Sequence, residues 1–142
     1  MLELFGLFSS ALVSATLLPG SSEAVLAGLI YLKSLPLVWL IGVATLGNVT
    51  GSLINWGLGF YARRLEHHPR FPVKAADMAR YEALFARYGR WSLLAAWVPF
   101  LGDPITIAAG IARTPLIWFI PLVTLAKGAR YVAVAAMADS FL

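Results

Sequence analysis

Two long apolar stretches dominate the pattern along the chain. From Leu35 to Ala62 no charged residue occurs, which as a helix is long enough to cross about 30 Å of hydrocarbon. Arg63 and Arg64 close it at headgroup level. A second span is expected from Thr114 to about Met137, interrupted by Lys127 and Arg130. Each span is preceded by a pair of shorter apolar pieces. Residues 4–18 and 24–32 are separated by "PGSSE", and residues 91–98 and 104–112 by "PFLGD". At least three of these four pieces fall short of the roughly 17–25 residues that a straight crossing needs. Proline removes a backbone donor and clashes with the preceding turn, so Pro19, Gly20, Pro99, Gly102 and Pro104 are the expected breaks. Short apolar pairs broken in this way suit re-entrant hairpins, whose freed backbone groups must be buried in protein or line a wet cavity. A plain four-helix bundle with kinks is the alternative, with residues 4–22 as a crossing.

Between the two halves the period changes. After "HHPRFP" comes "KAADMARYEALFARYGRW". Met78, Tyr81, Phe85 and Tyr88 recur at helical spacing, with Leu84 beside them, and predict an amphipathic helix. Arg80 and Arg87 flank the stripe, as suits a helix lying on an anionic leaflet, and Gly89 is the expected stop.

The halves also align with each other. "PLVWLIGVATL" at 36–46 lies 79 residues before "PLIWFIPLVTL" at 115–125. Upstream, Pro19 and Glu23 correspond to Pro99 and Asp103 at an offset of 80, and Ala27–Gly28 corresponds to Ala109–Gly110 with a slip of two. Downstream, Asn48 falls opposite Lys127. A hairpin makes no net crossing and each span makes one, so the two repeats are expected to be inverted. Inverted repeats with broken helices are a transporter signature. The expected fold is an all-α integral membrane protein, a single membrane domain over 1–142. Residues 1–62 form the first repeat, 63–90 a basic cytoplasmic loop with its amphipathic helix, and 91–142 the second repeat.

Composition agrees with a membrane reading. Apolar residues make up 60% of the chain and charged residues 13%, against roughly 25% charged in a soluble domain. Seven of the eleven basic residues fall between Arg63 and Arg90. Clustered basic charge can mark a nucleic-acid surface, but apolar runs on both sides favour a cytoplasmic membrane loop. Both termini are then expected on the periplasmic or extracellular side. Glu3 stands where a secretory signal would carry Lys or Arg, so residues 1–22 are taken as part of the mature protein. Cysteine is absent, which excludes disulfides and thiolate-bound metals.

The residues that could carry chemistry are few. Glu23 and Asp103 occupy equivalent positions, and intramembrane acids usually face a partner or water. Capping is the plainer reading, since Ser21 and Ser22 precede Glu23 and Pro104 suits a first helical turn. Lys127 and Arg130 lie at i and i+3 on one helix face. If both are deep they need anions: Glu23 and Asp103 from the protein, or a phosphate headgroup from outside. Asn48 and Asn55 share a face with Gly51 between them, while Gly47, Gly51, Gly57 and Gly59 favour tight packing over ligand contact. His67 and His68 lack a third ligand and read as a solvated loop. No nucleophile–base pair, phosphate-binding loop or metal spacing appears, so no cofactor is expected.

With these residues laid out, the chain resembles a known family. "LLPGSSE", "GNVTGSLINWGLG", "FARYGRW" followed by "VPFLGDPITIAAGIARTPLIWF", and "KGARYVAVAA" look like the DedA, or VTT-domain, membrane proteins, and most like their short YqaA-like branch. The resemblance runs from about Leu17 to Ala136. It implies two opposed re-entrant hairpins, a bacterial inner-membrane location, and the movement of polyprenyl phosphate or phospholipid headgroups between leaflets, in some members coupled to protons. Glu23 falls at the acid of the first hairpin. The second hairpin departs from the pattern: where many flippase-type members read "R-F-x-P-x-x-R", this chain has Ala96 and Gly102 at the arginine positions. Lys127 and Arg130 are the candidates to replace them.

The leading expectation is a lipid-carrier translocator or scramblase. Its expected partners are membrane lipids and a lipid phosphate headgroup, with protons and a second copy of the chain as further candidates. A scaffold whose acids and bases form internal ion pairs is the second reading. A membrane enzyme acting on a lipid phosphate is the third, disfavoured by the lack of a nucleophile or metal constellation.

Overall fold

The computed structural model describes residues 1–16, 21–61, 75–98 and 102–141. Every regular element among them is helical: α1 (Leu2–Thr16), α2 (Ser21–Tyr31), α3 (Leu37–Phe60), α4 (Ala75–Tyr88), a 3-10 helix (Gly89–Trp97), α5 (Gly102–Ile111) and α6 (Leu116–Ser140). Pro19, Gly20 and Pro99 of the expected breaks, and Arg63, Arg64, His67 and His68 of the basic loop, lie outside the described residues.

Among the described residues, α3 and α6 are the two helices long and apolar enough to cross a membrane. Their 24 and 25 residues extend about 36 Å each at 1.5 Å per residue. Both start in the same way. Pro36 and Pro115 hold φ near the fixed proline value with an extended ψ of 137° and 139°. Their carbonyls then accept from Trp39 and Leu40, and from Trp118 and Phe119.

The helices before these prolines also end alike. Lys33 and Arg113 take the left-handed conformation, with φ of 51° and 55°. Lys33 N–H donates to Ile30 and Ser34 N–H to Leu29, while Arg113 N–H donates to Gly110 and Thr114 N–H to Ala109. This is the Schellman closure, which usually places glycine at the left-handed position. Here it places an exposed base at both ends, 80 residues apart.

The segment between the spans follows the sequence with two differences. Helix α4 stops at Gly89, whose φ is +60°. Phe85 is buried and Leu84 half-buried, whereas Tyr88, expected on the apolar stripe, is exposed. The Arg87 guanidinium lies 5.3 Å from its ring, and an amphipathic tyrosine suits such a wet edge. The apolar arm that follows is 3-10 rather than α-helical. Val98 then turns extended, as a residue preceding proline must.

Two apolar clusters fix how the elements meet. One joins Leu7 of α1, Leu26 and Ile30 of α2, Leu40 and Ala44 of α3, and Tyr131 and Ala135 of α6. The other joins Val49 of α3, Phe85 of α4, Leu93 of the 3-10 helix, Ile105 and Ala108 of α5, and Phe119 and Val123 of α6. The early half of α3 therefore meets the late half of α6, and the two run antiparallel. The start of α1 and the end of α2 lie at one end of α3. Helix α1 packs on α3 and the 3-10 helix on α6, whereas α2 crosses to α6 and α5 crosses to α3.

Close packing is concentrated on α3. A Cβ at Gly51 would lie 2.6 Å from Ala15 Cβ and 2.7 Å from the Leu12 carbonyl, and Gly47 faces the Phe8 carbonyl in the same way. Further along, Gly59 and Gly110 let the backbones of α3 and α5 touch. Away from these seams both spans expose large apolar side chains, among them Val38, Leu46, Ile117, Leu125 and Met137. Such a surface suits hydrocarbon. Exposed Trp39 and Tyr31 near one end, and Tyr61, Trp91 and Trp118 near the other, match the aromatic enrichment of membrane interfaces.

Candidate functional site: two ion pairs on the second span

Glu23 and Asp103 each sit in the first turn of a helix, α2 and α5. There the backbone N–H groups lack intrahelical acceptors and the helix dipole favours a negative charge. Pro104 shares that first turn of α5, where its missing N–H leaves no hydrogen bond unmade.

From these positions both carboxylates reach α6. Lys127 Nζ lies 2.9 Å from Asp103 Oδ1, and Arg130 Nη2 lies 2.7 Å from Glu23 Oε1. The acids thus have separate cations, one turn apart on one helix. Lys127 is 1% exposed, while the Asp103 and Glu23 side chains are 26% and 22% exposed. In each pair the cation is the deeper partner. Arg130 also places its guanidinium 5.4 Å from the Tyr131 ring centre.

A hydroxyl chain extends the Glu23–Arg130 pair inward. Ser22 Oγ donates to Glu23 Oε2 at 3.1 Å. Its single proton is then used, so Tyr131 OH, 2.8 Å away, is the donor to Ser22. Ser22 and Tyr131 are both fully buried. The sequence marks Ser22 only as a capping residue and does not single out Tyr131, although a polar residue adjoining an intramembrane charge is the available signal in both cases.

Asn48 and Asn55, grouped with the charges as candidates, use their amide nitrogens in helix packing. Asn48 Nδ2 donates to the Ala11 carbonyl at 3.0 Å. Asn55 Nδ2 donates to the Ala15 carbonyl at 2.8 Å and to Thr106 Oγ1 at 3.2 Å. Together with Gly47 and Gly51 they bind α1 to α3, and through Thr106 also to α5. Asn48 Oδ1 and Arg130 Nε are buried without a hydrogen-bond partner among the described residues.

The arrangement holds two positive and two negative groups in one neutral cluster within the helix interior. An anion entering it would compete with a carboxylate for its cation. Arginine forks onto phosphate and lysine meets it as a point charge, so a phosphate headgroup fits that competition.

The VTT domain family matches residues 18–140 of the chain. The inner membrane protein YqaA of Escherichia coli (strain K12) is 40% identical over 141 residues, covering 95% of this chain and 90% of that protein. The protein of the same description from Shigella flexneri matches equally. An uncharacterized protein of Haemophilus influenzae is 34% identical over 148 residues, covering 96% and 87%. No solved structure matches.

Proposed function

The chain belongs to the VTT-domain family, and on that premise we propose that it moves a lipid with a phosphate headgroup across the bacterial inner membrane. The observation that carries the reading is the pairing of Lys127 with Asp103 and of Arg130 with Glu23 on one face of α6. In the resting state each cation is neutralised by a carboxylate from a helix N-terminus. An arriving phosphate displaces a carboxylate and takes its cation. A carboxylate that has given up its cation can take a proton in its place, which in this reading links headgroup entry and proton uptake at the same atoms. The Ser22–Tyr131 chain keeps Glu23 in place for this exchange. No covalent step is involved.

The membrane arrangement in this reading has α1 and α2 as one re-entrant hairpin, and the 3-10 helix with α5 as the other. Three features support an inverted repeat: the shared Schellman closures at Lys33 and Arg113, the shared proline starts, and the reciprocal crossing of α2 and α5 onto the other repeat's span. The basic loop faces the cytoplasm by the positive-inside rule, and both termini face the periplasm.

Purified protein in liposomes, with headgroup movement followed by a chemical quencher, tests the proposal. Wild-type protein moves the headgroup, and Glu23→Gln and Lys127→Ala each abolish movement. Unchanged movement in both variants sinks the mechanism. The scaffold reading draws support from the same satisfied ion pairs. Under it, exchanging the charges of Asp103 and Lys127 preserves both folding and cellular function.

A further inference from the structure

A groove lined by none of the four charged residues above is unused by this mechanism. It encloses about 510 Å³ between α4, the 3-10 helix and α5, within the roughly 300–1,000 Å³ range of small-ligand sites. Leu84, Trp91, Ala95 and Ile105 make its walls apolar. Arg87 supplies the one charge among its described lining residues, and that side chain is exposed. Ser92 also lines the groove. It is only 7% exposed, and its hydroxyl has no hydrogen-bond partner among the described residues. A buried hydroxyl without a partner costs about 1–3 kcal/mol, a cost that a ligand oxygen would remove once the wall opened far enough to admit it.

The neighbours of the groove place it at a bilayer interface. Tyr88, Trp91 and Trp97 are exposed around it. Arg90 stacks 3.8 Å from the Trp118 ring centre at the start of α6. An apolar trough with one cation at its edge and an unpaired hydroxyl in its wall matches an amphiphile with an anionic head. We infer that this groove binds an anionic phospholipid from the leaflet beside α4, its phosphate at Arg87 and an acyl chain between Leu84, Trp91 and Ile105. Ile105 belongs to α5, the helix whose first turn carries Asp103, although side chains two positions apart do not share a helix face. A role for the bound lipid as a waiting substrate rests on the transport reading above; the binding itself does not.

Photolabelling tests it. The full-length protein is placed in nanodiscs containing phosphatidylglycerol with a diazirine in one acyl chain, and labelled peptides are mapped. Labels are expected on the peptides that carry Leu84, Trp91 and Ile105. Arg87→Gln lowers them about tenfold, the factor that loss of one charge-assisted contact gives. Ala95→Phe, which fills the trough, removes them. A diacylglycerol probe with the same chains labels the groove as weakly as the Arg87→Gln variant does. Equal labelling by both probes, indifference to Arg87→Gln, or crosslinks showing a second copy of the chain in the groove would each overturn the inference. Groove labelling by a wild-type protein that moves no headgroup leaves this site standing and overturns the transport reading. Transport without groove labelling does the reverse.

Discussion

The two spans align in sequence and are held in opposite ways. At the 79-residue offset, Asn48 on α3 corresponds to Lys127 on α6, and Gly51 corresponds to Arg130. On α3 these positions carry an amide bonded to the Ala11 carbonyl and a glycine pressed against Ala15. On α6 they carry two cations bonded to Asp103 and Glu23. One span is joined to its neighbours by backbone proximity and neutral hydrogen bonds, the other by charge. Close packing leaves no room for a ligand and little freedom to move. Ion pairs can be exchanged for another anion without unpacking a helix. The two aligned spans thus differ in how they are held, α3 by close backbone packing and α6 with two ion pairs that the proposed function makes exchangeable.

The largest expected effect comes from unbalancing the charged span. Lys127→Ala leaves Asp103 unpaired, and breaking a buried ion pair costs roughly 3–5 kcal/mol; thermal unfolding in detergent measures it. The neutral double variant Asp103→Asn with Lys127→Met recovers most of that loss, because no charge is left uncompensated. Crowding the fixed span comes next. Gly51→Leu should cost about 1–3 kcal/mol or more by overpacking, since even a methyl group there meets Ala15 and the Leu12 carbonyl. Asn55→Ala, which removes donation to Ala15 and Thr106, should cost about 1 kcal/mol. The smallest effect separates two glycines that align in the sequence. Gly110→Ala destabilises, because its Cβ collides with the Trp56 carbonyl. Gly28→Ala stabilises by up to about 1 kcal/mol from helix propensity, because nothing lies within 4 Å of its Cβ position. Equal effects of these two alanines would show that the fixed and exchangeable sides are not different.

Much of this was legible in the sequence, and the gaps have physical causes. Apolar length announced α3 and α6, and the proline–acid pattern announced that Glu23 and Asp103 hold equivalent helix-start positions. The pairing itself was not readable. Glu23 and Arg130 are more than a hundred residues apart, and which acid meets which cation depends on how α2 and α5 cross onto the spans. Asn48 and Asn55 read as site candidates because an intramembrane amide signals function and packing equally, and their bonds to the carbonyls of α1 were not legible in the sequence. Lys33 and Arg113 were missed because a left-handed helix end normally announces itself as glycine. The 3-10 helix was missed because an apolar run has the same composition in either helix type.

The central claim is that the ion pairs on α6 serve exchange with a phosphate rather than support alone. The Asp103→Asn, Lys127→Met double variant separates the two, since it keeps the helices packed while removing Lys127, the more deeply buried of the two cations. Headgroup translocation in liposomes should fall to the protein-free rate for this variant, with thermal stability close to wild type. Translocation at the wild-type rate from the same folded variant would contradict the account.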